Sequence, residues 1–438
     1  MDKKAKEFLE NELKENGTLG NALIDEISKD TKQLVAFAAA IEKVDFRIQG
    51  KIMHKASTIM LLALMGAFAG AHTWCQIATY GKAKMELLRQ YFPNLKDVPS
   101  HDTLRRFFMI VDSTKLEMVY REWARNFQGE FMSHDESSEE EEQGTYKAHR
   151  HYSLDGKTIR NAIDPEKLSE ESDGRISIEE ARHAKLHMVS AYDTEAGISM
   201  AQERVNVKEN ELAAIPKLLN YLDLGKGDIV TIDAMGTHAN LAELITSKGA
   251  DYLFEVKDNQ PKLKEHIEMC TEFFLKNKYQ TAFYDKAEET LYDHSMTTKR
   301  ECYVYKYEGM MRKIKEKWPG MNTFGVIITT RTKKDGTSVT EKHYYITSLP
   351  TDPKLIMKHK REHWKIENAL HWHLDVIFNE DKGRKMMNSA QNYSVLTKMA
   401  LAILKKDKSK MPMTDKRLLA GWNDNFMKSL IDQFISSF

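Results

Sequence analysis

Residues 361–381 read REHWKIENALHWHLDVIFNED. The segment predicts a helix that begins upstream. Asp352 can cap its first turn, and Pro353 suits the first helical position, where a missing N–H is harmless. Residues four apart share a helix face. His359, His363, Glu367, His371 and Asp375 therefore form one ionisable file, and Ile366, Leu370, Leu374 and Ile377 form an apolar file able to sit on a core. A solvated face would account for a lone glutamate. It accounts less well for Trp364, His371, Trp372 and His373 crowded around this one, the two tryptophans being expected as core anchors rather than base-stacking platforms. Glu367 is thus a candidate member of a site that acids from elsewhere must complete.

Two such acids stand at strand-like runs upstream. Residues 149–155 (HRHYSLD) lead through Asp155 into Gly156, and the β-branched run IVTI (229–232) ends at Asp233. Residues 186–193 and 198–205 flank a Thr-Glu-Ala-Gly turn and predict a hairpin. Helices are expected over 211–222, with Pro216 inside, and over 240–248, and a further strand over 251–256. The order is that of a mixed α/β layer. After a helix over 262–276 the pattern breaks into strand-like runs at 302–307, 324–330 and 343–349, with Asp335-Gly336 as a hairpin turn.

The N-terminal third is different. Apolar residues recur at helical spacing over 34–44, 53–71, 74–91 and 104–111, and Ser100 with Asp102 makes a helix start after Pro99. The apolar stretch Ile59–Ala71 is short of the ~20 residues of a membrane span and reads as a buried core helix. Arg105 and Arg106 on a short helix are compatible with a helix-turn-helix-like DNA-binding unit, although a plain bundle explains the same pattern. Residues 133–145 (SHDESSEEEEQGT) read as a solvated acidic linker. The chain thus divides into a helical N-terminal domain (1–130), an acidic linker (131–146), an α/β core (147–260 and 350–405), a β-rich insertion (261–349) and a C-terminal helical tail (406–438).

The net charge is zero, which argues against polyanion binding through bulk charge. Six acids of the linker hide a different balance, since without Asp135, Glu136 and Glu139–Glu142 the remainder carries +6. Three dispersed cysteines fit no metal spacing and match a reducing compartment. The charged start MDKKAKEFLENELKEN is not a signal peptide. A cytoplasmic, nucleoid-associated protein without membrane attachment is expected.

Asp155, Asp233 and Glu367 would together supply oxygen donors suited to Mg²⁺, with Mn²⁺ a possible substitute. Two such ions ~3.5–4 Å apart can stabilise the attacking and leaving oxygens of a phosphodiester displacement. Three acids among 65 can always be picked with hindsight, so the wording around each one decides. YSLDGKTIR (152–160), IVTIDAMGTH (229–238), DYLFEVKDNQPKL (251–263) and HWKIENALHWHLDVIFNED (363–381) resemble the H-repeat-associated transposases of the DDE superfamily. The stretch LLALMGAFAGAHTWCQIATYGKAKMELLRQYFP, followed by PSHDTLRRFF, is similar to the helical domain that precedes the DDE core in that family. The resemblance covers roughly residues 45–405. It implies a ribonuclease H-like catalytic core with Asp155, Asp233 and Glu367 as the triad and Mg²⁺ as the cofactor. It implies double-stranded DNA, transposon ends and target, as the substrate of cleavage and strand transfer.

The sequence departs from related insertion-sequence families in two places. Where they carry Tyr, Arg and Lys around the catalytic Glu, this chain has Lys360, His363 and Leu374, so His363 takes the place of Arg. Residues 161–184 are also longer and more charged than the family pattern after DGKTIR.

Further candidates surround the triad. Lys157 and Arg160 follow Asp155 closely enough to hold neighbouring phosphates, a solvated turn pair being the plain alternative. Lys257, Asn259 and Gln260 match the family's Lys-x-Asn-Gln and are expected on DNA rather than capping a loop. His371 is placed to orient Glu367 or a scissile phosphate. His359 and His363 have the spacing of a zinc pair but no evident third ligand. Pairing two DNA ends calls for a homodimer or larger synaptic complex. A non-catalytic DNA-binding relic and a metal nuclease without transfer activity are the competing readings.

Overall fold

A computed structural model of the chain describes residues 29–48, 50, 52–135, 149–163, 185–206, 210–276, 284–293, 296–306, 314, 316–383, 385–386 and 388–438. The charged start, the segment expected as an acidic linker beyond 135 and residues 164–184 lie outside the described residues.

The α/β part is built on one nine-stranded sheet, in the order β3-β2-β1-β4-β5-β9-β8-β7-β6. Its strands are β1 (His151–Ile163), β2 (Lys185–Asp193), β3 (Ile198–Val205), β4 (Ile229–Ile232), β5 (Asp251–Val256), β6 (Tyr284–Asp293), β7 (Met296–Lys306), β8 (Thr323–Lys333) and β9 (Ser338–Thr347). β1, β4 and β5 run parallel, and every other pairing is antiparallel. All four residues of β4 are buried, as its β-branched run predicts for a strand covered on both faces. The β-rich insertion is therefore a continuation of the central sheet, joined where β9 pairs with β5. The Asp335-Gly336 turn closes β8 onto β9, with Gly336 at φ +84°.

Thirteen α-helices lie among the described residues. α1 (Lys29–Glu42), α2 (Ala56–Phe68), α3 (Trp74–Ala83), α4 (Met85–Tyr91), α5 (His101–Ile110) and α6 (Ser113–Asp135) make the N-terminal bundle. α2 is buried along its whole length, as its uninterrupted apolar sequence predicts. Ser100 caps α5 by accepting from the Thr103 amide. α7 (Glu211–Tyr221), α8 (Ala239–Ser247) and α9 (Pro261–Lys276) share one core with Leu154, Val230, Phe254 and Ile346, which marks one face of the sheet. α10 (Pro353–His363) and α11 (Ser389–Lys406) cover the other face. There Ser153 Oγ meets Glu362 O, Leu253 packs on Ile356 and Met357, and Lys398 Nζ meets Ser190 Oγ at 3.0 Å. α12 (Met413–Trp422) and α13 (Asp424–Ser436) close the chain against the N-terminal bundle, where Phe434 packs on Phe37 and Trp123.

Bundle and sheet share a core. Asn392 of α11 donates to the carbonyls of Phe108 and Val111, both at 3.0 Å, while Lys398 one turn and a half later serves the sheet. Glu117 of α6 accepts from the Gln202 amide on β3 at 2.9 Å. None of the described helices is long and apolar enough to cross a membrane.

Candidate active site

The last register pair between β1 and β4 is Leu154 with Ile232, and the next residue on each strand is an aspartate. Asp155 and Asp233 thus stand side by side where β4 releases the chain, the end of an open α/β sheet at which ligands bind. Asp233 also caps a 3₁₀ turn, Ala234–Gly236, accepting from the Gly236 amide at 3.2 Å. That turn is pinned to the end of β5. Thr237 Oγ1 donates to Glu255 O at 2.6 Å, Asn259 Nδ2 to Ala234 O at 2.6 Å, and Gln260 Nε2 to Thr237 O at 3.0 Å. The amides of Asn259 and Gln260, the residues expected on DNA, hold the loop that carries Asp233.

Glu367 arrives from the layer above. Asp352 and Pro353 start α10 as expected, Asp352 accepting from Lys354 and Leu355 amides. The α-helix ends at His363, however, and Ile366–His371 and His373–Ile377 are π-helical. Trp372 N donates to Glu367 O and Phe378 N to His373 O, each five residues back. The wider turn breaks the predicted four-residue file. The apolar residues stay buried, Glu367 is exposed, His371 turns inward and Asp375 is drawn aside to Lys157. Such widened turns recur at functional sites. Trp364 and Trp372, expected as core anchors, are half exposed (51% and 50%) because they fall on the outer side of this segment.

Asp155 is the hub of the three acids. Its charge raises the carboxyl pKa of Asp233, after burial and Glu211, and that of Glu367, after burial. His371 Nδ1 lies 3.4 Å from Asp155 Oδ2, and its charge opposes the rise at Glu367. Among the described residues no three His, Cys, Asp or Glu side chains already converge on one ion position. The donor set itself, clustered carboxylates that repel one another, fits a hard divalent cation, whose charge would offset that repulsion.

Behind the site runs a buried polar chain. His363 Nδ1 meets Thr231 Oγ1 at 3.0 Å, Thr231 meets His151 Nε2 at 3.2 Å, and His151 Nδ1 meets Thr194 Oγ1 at 3.1 Å. Burial lowers the His363 pKa despite the opposing charge of Asp155. Lys360 lies over the Tyr345 ring, its pKa pulled down to about 8 by burial, and Leu374 is in the core. His359 is no zinc partner for His363: it is buried against His151, ring centroids 5.1 Å apart, with neither ring nitrogen hydrogen-bonded.

This stack makes stability depend on pH. Burial holds His359 at about 4, and burial with the neighbouring His359 holds His151 well below 6.5. Since the folded-state values lie below those of the unfolded chain, the unfolded state binds more protons in acid. The stabilisation is complete above about pH 6.5 and is lost as pH falls toward 4, by up to ~1.4 kcal/mol per pH unit for each histidine. His359→Leu should flatten the decline of the urea midpoint between pH 7 and pH 4.5; an unchanged slope would count against this origin.

The expected phosphate holders divide. Lys157, expected to hold a phosphate, is enclosed by Asp375 (2.6 Å), Glu380 (2.9 Å) and Asp381 (3.7 Å). Arg160 pairs with Asp381 at 3.1 Å yet is largely exposed, and Lys257, 3.5 Å from Glu255, is exposed beside Asp233. Far from the acids, Arg105 is tied to Asp102 at 3.3 Å and Arg106 is exposed on α5. Sequence reasoning missed Glu211, whose charge acts on Asp233 ahead of that of Asp155.

A sheet that carries Asp155 within β1 and Asp233 just past the end of β4, with Glu367 on the covering layer, defines a mixed α/β protein. Comparison with known proteins gives the family. Residues 108–403 match the transposase DDE domain, and residues 39–124 match the DDE_Tnp_1-associated domain. The chain belongs to the H repeat-associated transposases of the DDE superfamily. It is 34% identical to YncI of Escherichia coli O157:H7, named as a transposase, over 82% of this chain and 85% of that protein. It is 29% identical to the H repeat-associated YhhI of Escherichia coli K12, over 88% of this chain and 95% of that one. A solved structure with some likeness is the piggyBac transposase synaptic complex with hairpin DNA. It shares 10% identity, covering 92% of this chain and 80% of that one, at a TM-score of 0.37.

Proposed function

We propose that this insertion-sequence transposase binds the DNA ends of its element and catalyses phosphodiester hydrolysis and strand transfer through Asp155, Asp233 and Glu367. The observation that carries the reading is that Asp155 and Asp233 directly follow the paired residues Leu154 and Ile232 on adjoining parallel strands, with Glu367 carried by the layer above. The order β3-β2-β1-β4-β5 supports a ribonuclease H-like core, preceded by the helical N-terminal domain and extended by residues 261–349. Asp155, Asp233 and Glu367 would hold Mg²⁺, or Mn²⁺ in its place. Such ions, when bound in pairs, activate the attacking water or 3′-OH and stabilise the leaving oxygen.

The chain's own groups do the rest. His371 orients Asp155, the pinned turn fixes Asp233, and the π-helical segment presents Glu367 toward the substrate. Lys257 and Arg160 are placed to hold flanking phosphates, and neutral His363 supports the site through Thr231. Arg105 and Arg106 add charge on α5 for duplex DNA. Bringing two ends together requires at least two copies, a homodimer or larger synaptic complex.

The test is cleavage of DNA carrying the element's flanking ends by wild type and Glu367→Gln, in Mg²⁺, in Mn²⁺ and in EDTA. Metal-dependent nicking at the boundary in wild type alone is expected. Specific binding without cleavage in either metal would replace the enzyme with a DNA-binding relic.

A further inference from the structure

Gly156 follows Asp155 on β1, and the space its side chain would fill belongs to another acid. A Cβ there would lie 2.0 Å from Glu211 Oε1 and 2.7 Å from His187 Nε2. Glu211 is the first residue of α7, whose start is fixed by the Asn210 side chain accepting from the Leu212 amide at 3.1 Å. Since α7 lies on the face opposite α10, Glu211 reaches the strand end from the other layer. It does not arrive loosely. His187 Nε2 sits 2.6 Å from Glu211 Oε1, and His187 Nδ1 sits 2.8 Å from Thr158 Oγ1 on β1. The Glu211 side chain is 19% exposed. An ordinary ion pair would explain His187 with Glu211. It would not explain a carboxylate pressed onto the backbone beside Asp155, where only a glycine leaves room. Its charge falls on Asp233 as well, ahead of that of Asp155.

We infer that Glu211 is the fourth carboxylate of the centre, a further oxygen donor to its divalent cation, held in place by His187 and admitted by Gly156. This rests on the reading of Asp155, Asp233 and Glu367 as the cation-binding acids. Asp155 and Asp233 would then be approached from both covering layers, by Glu367 on one side and Glu211 on the other.

The experiment titrates Mn²⁺ alone into full-length wild type, Glu211→Gln, Gly156→Ala and Asp233→Asn, reading free Mn²⁺ by electron paramagnetic resonance. Circular dichroism melts without metal check folding. Glu211→Gln keeps the volume and a hydrogen bond to His187, so it should fold normally and bind Mn²⁺ about tenfold or more weakly, as loss of a supporting ligand does. Gly156→Ala, which displaces Glu211 without altering it, should weaken binding in the same direction. Wild-type affinity in Glu211→Gln, with Asp233→Asn weakened, would overturn the role of Glu211 and leave the three acids standing. No Mn²⁺ bound by the wild type would overturn both readings together.

Discussion

Asp233→Asn should leave the chain folded and still able to bind the element's ends, and should reduce cleavage there by at least about a thousandfold. Asparagine keeps the oxygen that accepts from the Gly236 amide, so the turn pinned by Thr237, Asn259 and Gln260 survives. What it removes is charge. Burial and the negative neighbours Glu211 and Asp155 raise the Asp233 carboxyl. The neutral variant is therefore relieved of repulsion and should melt no lower than wild type in the absence of metal. Transition-state stabilisation by the ions that this carboxylate would help hold is worth several kcal/mol, and a thousandfold is about 4 kcal/mol. Binding is read by gel shift and cleavage by end-labelled product. Unimpaired cleavage would remove Asp233 from the centre, and a collapsed melting curve would assign it to the fold alone.

Lys157→Ala should produce the largest loss of stability of the substitutions considered, on the order of 3–5 kcal/mol, because it leaves buried acids without their counter-charge. The Lys157 side chain is 10% exposed and that of Glu380 5%. Burial pulls Lys157 downward, but Glu380 and Asp375 outweigh it and hold the group charged above its ordinary range. The same cation pulls Glu380 below the usual glutamate range against its own burial. Denaturant midpoints give the loss directly, and adding Glu380→Gln should recover part of it, since the two side chains interact. A phosphate contact would show a different signature: near-native stability and a salt dependence of DNA binding reduced by about one unit.

How far the sequence reached depends on what each signal measures. Ala56–Phe68 and IVTI were legible because their burial on all sides leaves no charged residue to confuse the pattern. Asp352-Pro353 and Asp335-Gly336 were legible because backbone chemistry ties them to a helix start and a turn. β6 (YDKAEETLYD) escaped notice: it is an exposed edge strand rich in acids, with the composition strands usually avoid. The π-helical turns escaped as well, because the apolar file they carry reads equally well at a spacing of four. Asp155, Asp233 and Glu367 were marked by their surrounding motifs. The enclosure of Lys157 was not legible because its acidic partners lie on the segment after Glu367, far away in sequence. Glu211 gave no signal at all, since nothing local distinguishes an acid at a helix start from an ordinary capping charge.

α11 has consequences for how the gene product is made. It follows both the N-terminal bundle and the sheet in chain order, yet its Asn392 serves the bundle, its Lys398 serves β2 and β3, and Lys405 reaches Ala369 O at 2.6 Å. Neither half of the molecule can complete its interior until residues 389–406 have been made. A copy of the element interrupted by a stop codon before residue 389 would yield a chain missing the shared centre of both halves.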